Sequence, residues 1–164
     1  MKEQRSGCPI NAAVEALGDH WSLLVLRDVI FGDRRYFREL QAGSIEAIAS
    51  NILADRLKKL VAAGILSRED AARGARARYS LTEAGIRTLP IIFALGNWGL
   101  DWRDGHPELR IRHELMRHEG HRFVEDFMDE LRVRHLGGTP AKRRGPGPAE
   151  RLSAAYQQAT SGLN

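Results

Sequence analysis

Apolar and polar positions alternate with a helical period along most of the chain. Residues 9–17 and 19–31 read as two helices separated by Gly18, with Pro9 suited to a first helical position and Asp19 to an N-cap. In the second, Trp21, Leu24, Val25, Asp28 and Val29 cover one side with mainly apolar chains, and Gly32 ends it. Residues 34–41 predict a short third helix with Phe37 and Leu40 three apart. A fourth follows over roughly 49–63, where Leu53, Leu57, Leu60 and Val61 recur as one buried stripe, and Gly64 stops it.

After Gly64 the period shortens. Residues 65–69 and 76–81 read as two short strands joined by a polar tip at 70–75. Thr82 and Glu83 can cap a further helix that runs to about Trp102, with Pro90 expected to kink or break it. Gly105, His106 and Pro107 interrupt the chain, and residues 108–135 read as one long amphipathic helix buried through Met116, Phe123, Phe127 and Leu131. The expected organisation has three parts: a helix-turn-helix and hairpin region with dimerisation helices (1–102), a long C-terminal helix (103–136), and a Gly/Pro-rich basic tail (137–164) with a weak last helix at 149–159. The fold class is mainly α with a small β-hairpin, a winged helix-turn-helix with a C-terminal helical extension. The third and fourth helices form the helix-turn-helix pair.

Charge changes this picture at one place. The 164 residues carry a net charge of +4 and a sequence pI of about 9.6. Residues 27–78 hold eleven Lys and Arg against seven Asp and Glu, so the whole excess lies around the fourth helix. The side of that helix opposite the leucines, stepping by about 100° per residue, carries Asn51, Asp55, Lys58 and Ala62, flanked by Lys59. Such a face is short-chained, amide-bearing and basic, unlike a face covered by long Glu/Lys pairs.

The ordered segments Cys8-Pro9-Ile10, Leu17-Gly18-Asp19-His20-Trp21-Ser22-Leu23-Leu24-Val25-Leu26-Arg27-Asp28, Phe37-x-Glu39-Leu40, Ile48-x-Ser50-Asn51-x-Leu53-x-Asp55-Arg56-Leu57, Ala63-Gly64-Ile65-Leu66 and Tyr79-x-Leu81-Thr82-x-x-Gly85 resemble the HxlR-type winged-helix transcriptional regulators. The resemblance spans about residues 8–102. It implies a homodimeric, cytoplasmic, bacterial DNA-binding regulator whose N-terminal helix and post-wing helix commonly form the dimer contact. One departure is the wing: family wings often carry a Pro before the Tyr-x-Leu-Thr element, whereas this chain reads GARARYSLT.

Within that frame each polar residue has two readings. Asn51 is the favoured base reader, since an amide pairs bidentately with adenine. Ser50 is assigned to phosphate or to capping. Asp55 either accepts from cytosine or holds Lys58 or Lys59, which are themselves phosphate clamps. Arg56, beside the apolar stripe, either braces a neighbouring helix or touches DNA. In the wing, Arg73 is the candidate for a narrow minor groove, with Arg76 and Arg78 tracking phosphate; the alternative is a solvated hairpin. Arg34 and Arg35 are placed at the DNA backbone ahead of the pair.

Ile91, Ile92, Leu95, Trp98 and Trp102 are the candidate dimer seam, with packing against residues 108–135 as the compatible alternative. Double-stranded DNA is the expected partner and an inverted repeat the expected operator. Repression by occupying a promoter is the expected action. The competing reading is a winged-helix protein-interaction module without DNA binding.

Cys8 matches the family's N-terminal cysteine, which some members use to sense oxidants or electrophiles. A thiol near a helix N-terminus is a better nucleophile, and the alternative is an inert, partly buried residue. As Cys8 is the single cysteine, no intramolecular disulfide can form. Glu114, His118, His121 and Glu125 line one side of the long helix, but on the solvated side, so no metal site is assigned. No cofactor motif or catalytic arrangement is present, so no enzyme activity is expected. No run reaches transmembrane length, and the polar start is unlike a signal peptide, so the expected location is the cytoplasm, away from the membrane.

Overall fold

The computed structural model describes residues 6–70, 76–140 and 145–161. It divides into two units, one ending at Gly85 and the other starting at Ile86.

In the first unit, α1 (Pro9–Leu17), α2 (Ser22–Gly32), α3 (Phe37–Ala42) and α4 (Ser50–Ala62) precede a hairpin of β1 (Leu66–Glu69) and β2 (Arg78–Leu81). A short helix, α5 (Glu83–Ile86), follows where the first unit ends along the chain. The hairpin is antiparallel, with Leu66 opposite Leu81 and Glu69 opposite Arg78. Helices α2, α3 and α4 pack on one another, and β1 packs on α4. Leu26, Val29, Ile30, Leu40, Leu53, Leu57, Leu60 and Leu81 are essentially fully buried, which follows from the stripes in the sequence. Asp19 caps α2 from upstream: its carboxylate accepts from the N–H groups of Trp21 (2.9 Å) and Ser22 (3.0 Å) and from the Ser22 hydroxyl. Thr82 closes the hairpin by donating to the Gly64 carbonyl (2.6 Å) and accepting from the Gly85 N–H (3.2 Å).

The second unit holds α6 (Leu89–Trp102), α7 (Pro107–Glu119), α8 (His121–Leu136) and α9 (Pro148–Ser161). The chain from Thr82 to Trp102 is two helices. Residues 87 and 88 separate them, and Pro90 lies in the first turn of α6, where its missing N–H costs nothing. The stretch expected as one long helix over 108–135 is likewise two, α7 and α8. Gly120 parts them at φ 78°, a conformation that only glycine adopts readily. Met116, Phe127 and Leu131 are fully buried all the same, because the apolar period continues across the break. The last helix is well formed, with Leu152 buried.

Specific polar contacts lock these helices together. Arg110 donates to the carbonyls of Leu100 (2.9 Å) and Arg103 (3.0 Å), satisfying the end of α6. Arg112 lies over the Tyr156 ring at 4.2 Å and Arg151 pairs with Glu119 at 2.5 Å, joining α9 to α7. His113 of α7 sits against Gly96 of α6, where a Cβ would fall 1.7 Å from its Nε2. Its ring stacks near Phe93, and Nε2 donates to the Ile92 carbonyl at 3.3 Å.

Burial pushes the His113 imidazole below its usual value of 6.5, with the Ile92 carbonyl opposing that shift. A histidine whose folded pKa is depressed adds stability that is complete above about pH 6.5 and is lost as the pH falls toward the folded value. The urea midpoint should therefore drop between about pH 7.5 and pH 5.5, and His113→Gln should reduce that dependence. An unchanged pH dependence in His113→Gln would contradict the assignment.

Candidate nucleic-acid interface

The segment between α3 and α4 turns sharply, with Ala47 at φ 53° and the Ile48 N–H bonded to the Ser44 hydroxyl at 3.2 Å. It delivers Ser50 as the first residue of α4. The N-cap is Ala49, without a side-chain cap, so Ser50 does not cap the helix. Ser50, Asn51, Ala54, Asp55, Lys58, Lys59 and Ala62 are all exposed, while Leu53, Leu57 and Leu60 are buried at 0–1%. The Asn51 amide and the Lys58 ammonium make no hydrogen bond or ion pair among the described residues.

Asp55 is engaged locally. It pairs with Lys59 at 3.1 Å, one turn along, and with the neighbouring Arg56. Bonds from Lys59 and Arg56 hold its carboxyl below the usual carboxylate range. Arg56 also reaches Asp19 at 2.8 Å, and its side chain is only 16% exposed, so it braces the start of α2.

The wing places its arginines unequally. Arg76 is exposed, ahead of the strand rather than in it. Arg78 begins β2, half-buried and opposite Glu69. Arg73 lies outside the described residues. On β1, Arg68 is half-exposed and pairs with Asp70 at 2.8 Å.

Arg34 and Arg35, which the sequence places at the DNA backbone, are both engaged within the first unit. Arg35 is 6% exposed. Its guanidinium donates to the Tyr79 carbonyl (3.2 Å) and to the Ser80 hydroxyl, while its own carbonyl accepts from the Tyr79 N–H (2.8 Å). It is a buried brace between the start of α3 and β2. Burial and the charge of Arg78 push its pKa down. Arg34 packs on Gly43, where a Cβ would fall 2.2 Å from its Nε, and pairs with Asp28 at 3.3 Å.

Asp28 is a hub that the helical period by itself does not single out. It is 7% exposed and lies between Arg27 (2.9 Å) and Arg34 (3.3 Å). Burial pushes its carboxyl above the usual value, and the two arginines pull it back. Arg27 continues to Glu46 with two bonds, 2.6 and 2.8 Å, which fix the turn before α4. The bonds from Arg27 hold the Glu46 carboxyl below its ordinary value. The signal was legible: a carboxylate on an apolar stripe needs a cationic partner.

Elsewhere, Ile91, Leu95, Trp98 and Trp102 form an exposed stripe on α6, at 45%, 53%, 50% and 68%, whereas Ile92 is buried at 6%. Ile10 and Val14 on α1 are exposed as well. Cys8 is exposed at the N-cap of α1. Glu114 and His118 lie on α7, and His121 and Glu125 on α8, so the Gly120 break divides their stripe. Among the described residues no group of three or more His, Cys, Asp or Glu comes together to hold a metal. No helix among them is long and apolar enough to cross a membrane.

The sequence model of the HxlR-like helix-turn-helix family matches residues 16–107, from the end of α1 to the start of α7. The chain belongs to this family. The HTH-type transcriptional regulator Rv3095 of Mycobacterium tuberculosis (strain ATCC 25618 / H37Rv) is 30% identical over 160 residues, covering 94% of this chain and 97% of its own, so its similarity extends beyond the family region. The crystal structure of PA1607 superposes with a TM-score of 0.57 at 32% identity, over 65% of this chain and 73% of that one. The redox regulator HypR in its reduced form gives 0.50 at 28%, over 59% and 95%. This HxlR-like protein is a winged-helix transcriptional regulator, with α3 and α4 as its helix-turn-helix and β1–β2 as its wing.

Replacing Arg35 with Met leaves the Tyr79 carbonyl and the Ser80 hydroxyl without that donor. The expected loss is about 1–3 kcal/mol, read from urea unfolding. A change below about 0.5 kcal/mol, the range of an ordinary surface substitution, would contradict the buried-brace role.

Proposed function

We propose that this HxlR-like regulator is a homodimeric repressor that reads an inverted-repeat operator with α4 and acts by covering a promoter. The observation that carries this reading is the outer face of α4, fixed from behind by three leucines and open in front. Its exposed N-terminal end suits a major groove. Asn51 is the base reader, because its amide is uncommitted and exposed in the first turn. Ser50, Lys58 and Lys59 meet phosphate. Asp55 serves Lys59 and Arg56 rather than a base, since both cations already engage its carboxylate. Arg76 supplies the wing's phosphate contact, Arg78 supports it, and Arg73 is assigned to the minor groove from the sequence alone.

For the dimer, Ile91, Leu95, Trp98 and Trp102 form one stripe of α6, and Ile10 and Val14 one of α1. Two exposed tryptophans in an apolar stripe are typical of a surface that a partner covers. Ile92, committed to its own unit, is not part of that seam. Cys8, exposed at the α1 N-cap, is the candidate point of attack for an oxidant or electrophile effector. The similarity to HypR, a redox regulator, supports that choice. The cytoplasm is the proposed place of action, in keeping with a DNA target.

Binding to an operator duplex should weaken steeply with salt. Six phosphate contacts per dimer give a slope of about −5 in log K against log salt, or roughly a thousandfold loss between about 50 and 200 mM. A flat response would overturn DNA binding. Asn51→Ala should cost about 1–3 kcal/mol on the operator and less on unrelated duplexes. Equal loss on both would make Asn51 a backbone contact.

A further inference from the structure

The leucine stripe behind α4 holds the helix close, but apolar contact has no direction. Directional contacts come from the flank of the stripe. Arg56 precedes Leu57, and its guanidinium spans two carboxylates: Asp19 at 2.8 Å on one side and Asp55 on the other. Asp19 is itself anchored, since it also accepts from the N–H groups of Trp21 and Ser22 and from the Ser22 hydroxyl at the start of α2. Burial raises the Asp19 carboxyl, and the bonds from Ser22, Trp21 and Arg56 outweigh that and hold it below its ordinary value. Asp55 passes the constraint outward by holding Lys59 at 3.1 Å. A continuous run of charge-assisted bonds, Asp19–Arg56–Asp55–Lys59, therefore leads from the turn that caps α2 to the exposed face of α4.

Stability alone does not account for an arginine here. Its Nε is buried without a hydrogen-bond partner among the described residues. A Met or Leu would cover the same ground without leaving a donor unmet, and apolar replacements of partly buried ion pairs are often neutral or stabilising. What an apolar chain cannot do is set an angle. The guanidinium is a planar fork, aligned by one carboxylate in the turn that caps α2 and another on α4 itself.

We infer that Arg56 is a positioning residue for operator reading: bridged to Asp19 and Asp55, it fixes the orientation of α4 against α2 and so the places of Asn51 and Lys59. This rests on α4 being the reading helix. Discrimination between operator and non-operator DNA depends on that orientation, whereas general attraction to phosphate does not.

The test compares the full-length wild type, Arg56→Gln, Asp19→Asn and the double variant on two duplexes of equal length. One carries an operator selected by the wild type and the other is unrelated. Salt slope, operator-to-unrelated affinity ratio and urea midpoint are read for each. Asp19→Asn keeps an oxygen acceptor for the Trp21 and Ser22 N–H groups while losing the charge. The expected result is a fall in the affinity ratio by roughly tenfold in each single variant, the size of a coupling between charged neighbours. The double variant should fall no further, and the salt slopes should match wild type. A salt slope reduced by about 2 per dimer in Arg56→Gln, with Asp19→Asn unaffected, would make Arg56 a direct phosphate contact and overturn the inference. Unchanged ratios, or additive losses, would overturn it too. If Arg56→Gln fails to fold, a preserved ratio in Asp19→Asn suffices to overturn it and a reduced ratio with an unchanged slope supports it. A wild type that binds neither duplex would instead remove the reading of α4 itself, and the inference with it.

Discussion

Leu53, Leu57 and Leu60 hold α4 by one side, and the arrangement of the first unit follows from that attachment. Each is essentially fully buried and contributes about 2 kcal/mol of transfer free energy. Their spacing puts all three on one stripe, which leaves the opposite stripe wholly outside. A helix attached in this way can expose short polar side chains and lysines without weakening its own packing. The outer face is then free to be chosen for what it touches.

Apolar packing brings α4 to the surface of α2, α3 and β1, but ion pairs set its entry and its angle. Glu46, in the turn before α4, is gripped by Arg27, which also borders Asp28. Arg34 closes the other side of Asp28 and fills the space that Gly43 leaves. Arg35 ties the start of α3 to β2, so the wing is fastened to the same frame. The basic residues of this unit thus differ in role. Arg27, Arg34, Arg35 and Arg56 are internal braces, each half-buried or buried, while Lys58, Lys59 and Arg76 remain outside.

Much of this was legible in the sequence for a physical reason. Period and punctuation report local structure, so the four leading helices, the hairpin and the break near Pro90 could be read directly. The leucine stripe identified the exposed side of α4 by subtraction. Partnership between distant residues could not be read in this way. Arg34 and Arg35 resemble any surface pair of arginines until Gly43, Asp28 and the Tyr79 carbonyl are brought beside them. Gly120 gives no clear stop in the sequence, because Met116, Phe123 and Phe127 keep a helical rhythm across it and a glycine inside such a rhythm is often tolerated. Arg56 stood at the boundary: its neighbour Leu57 marked it as near the core, but only the position of Asp19 gives it a bridging role.

Selecting binding sites for the purified protein from a random duplex pool measures whether α4 of a two-fold dimer reads DNA. A dimer that reads through α4 should enrich an inverted repeat, with half-site centres about one helical turn, roughly 10 base pairs, apart or a multiple of it. Enrichment of a single unrepeated site would contradict the dimeric reading, and no enrichment over the starting pool would contradict sequence-specific recognition by α4 altogether.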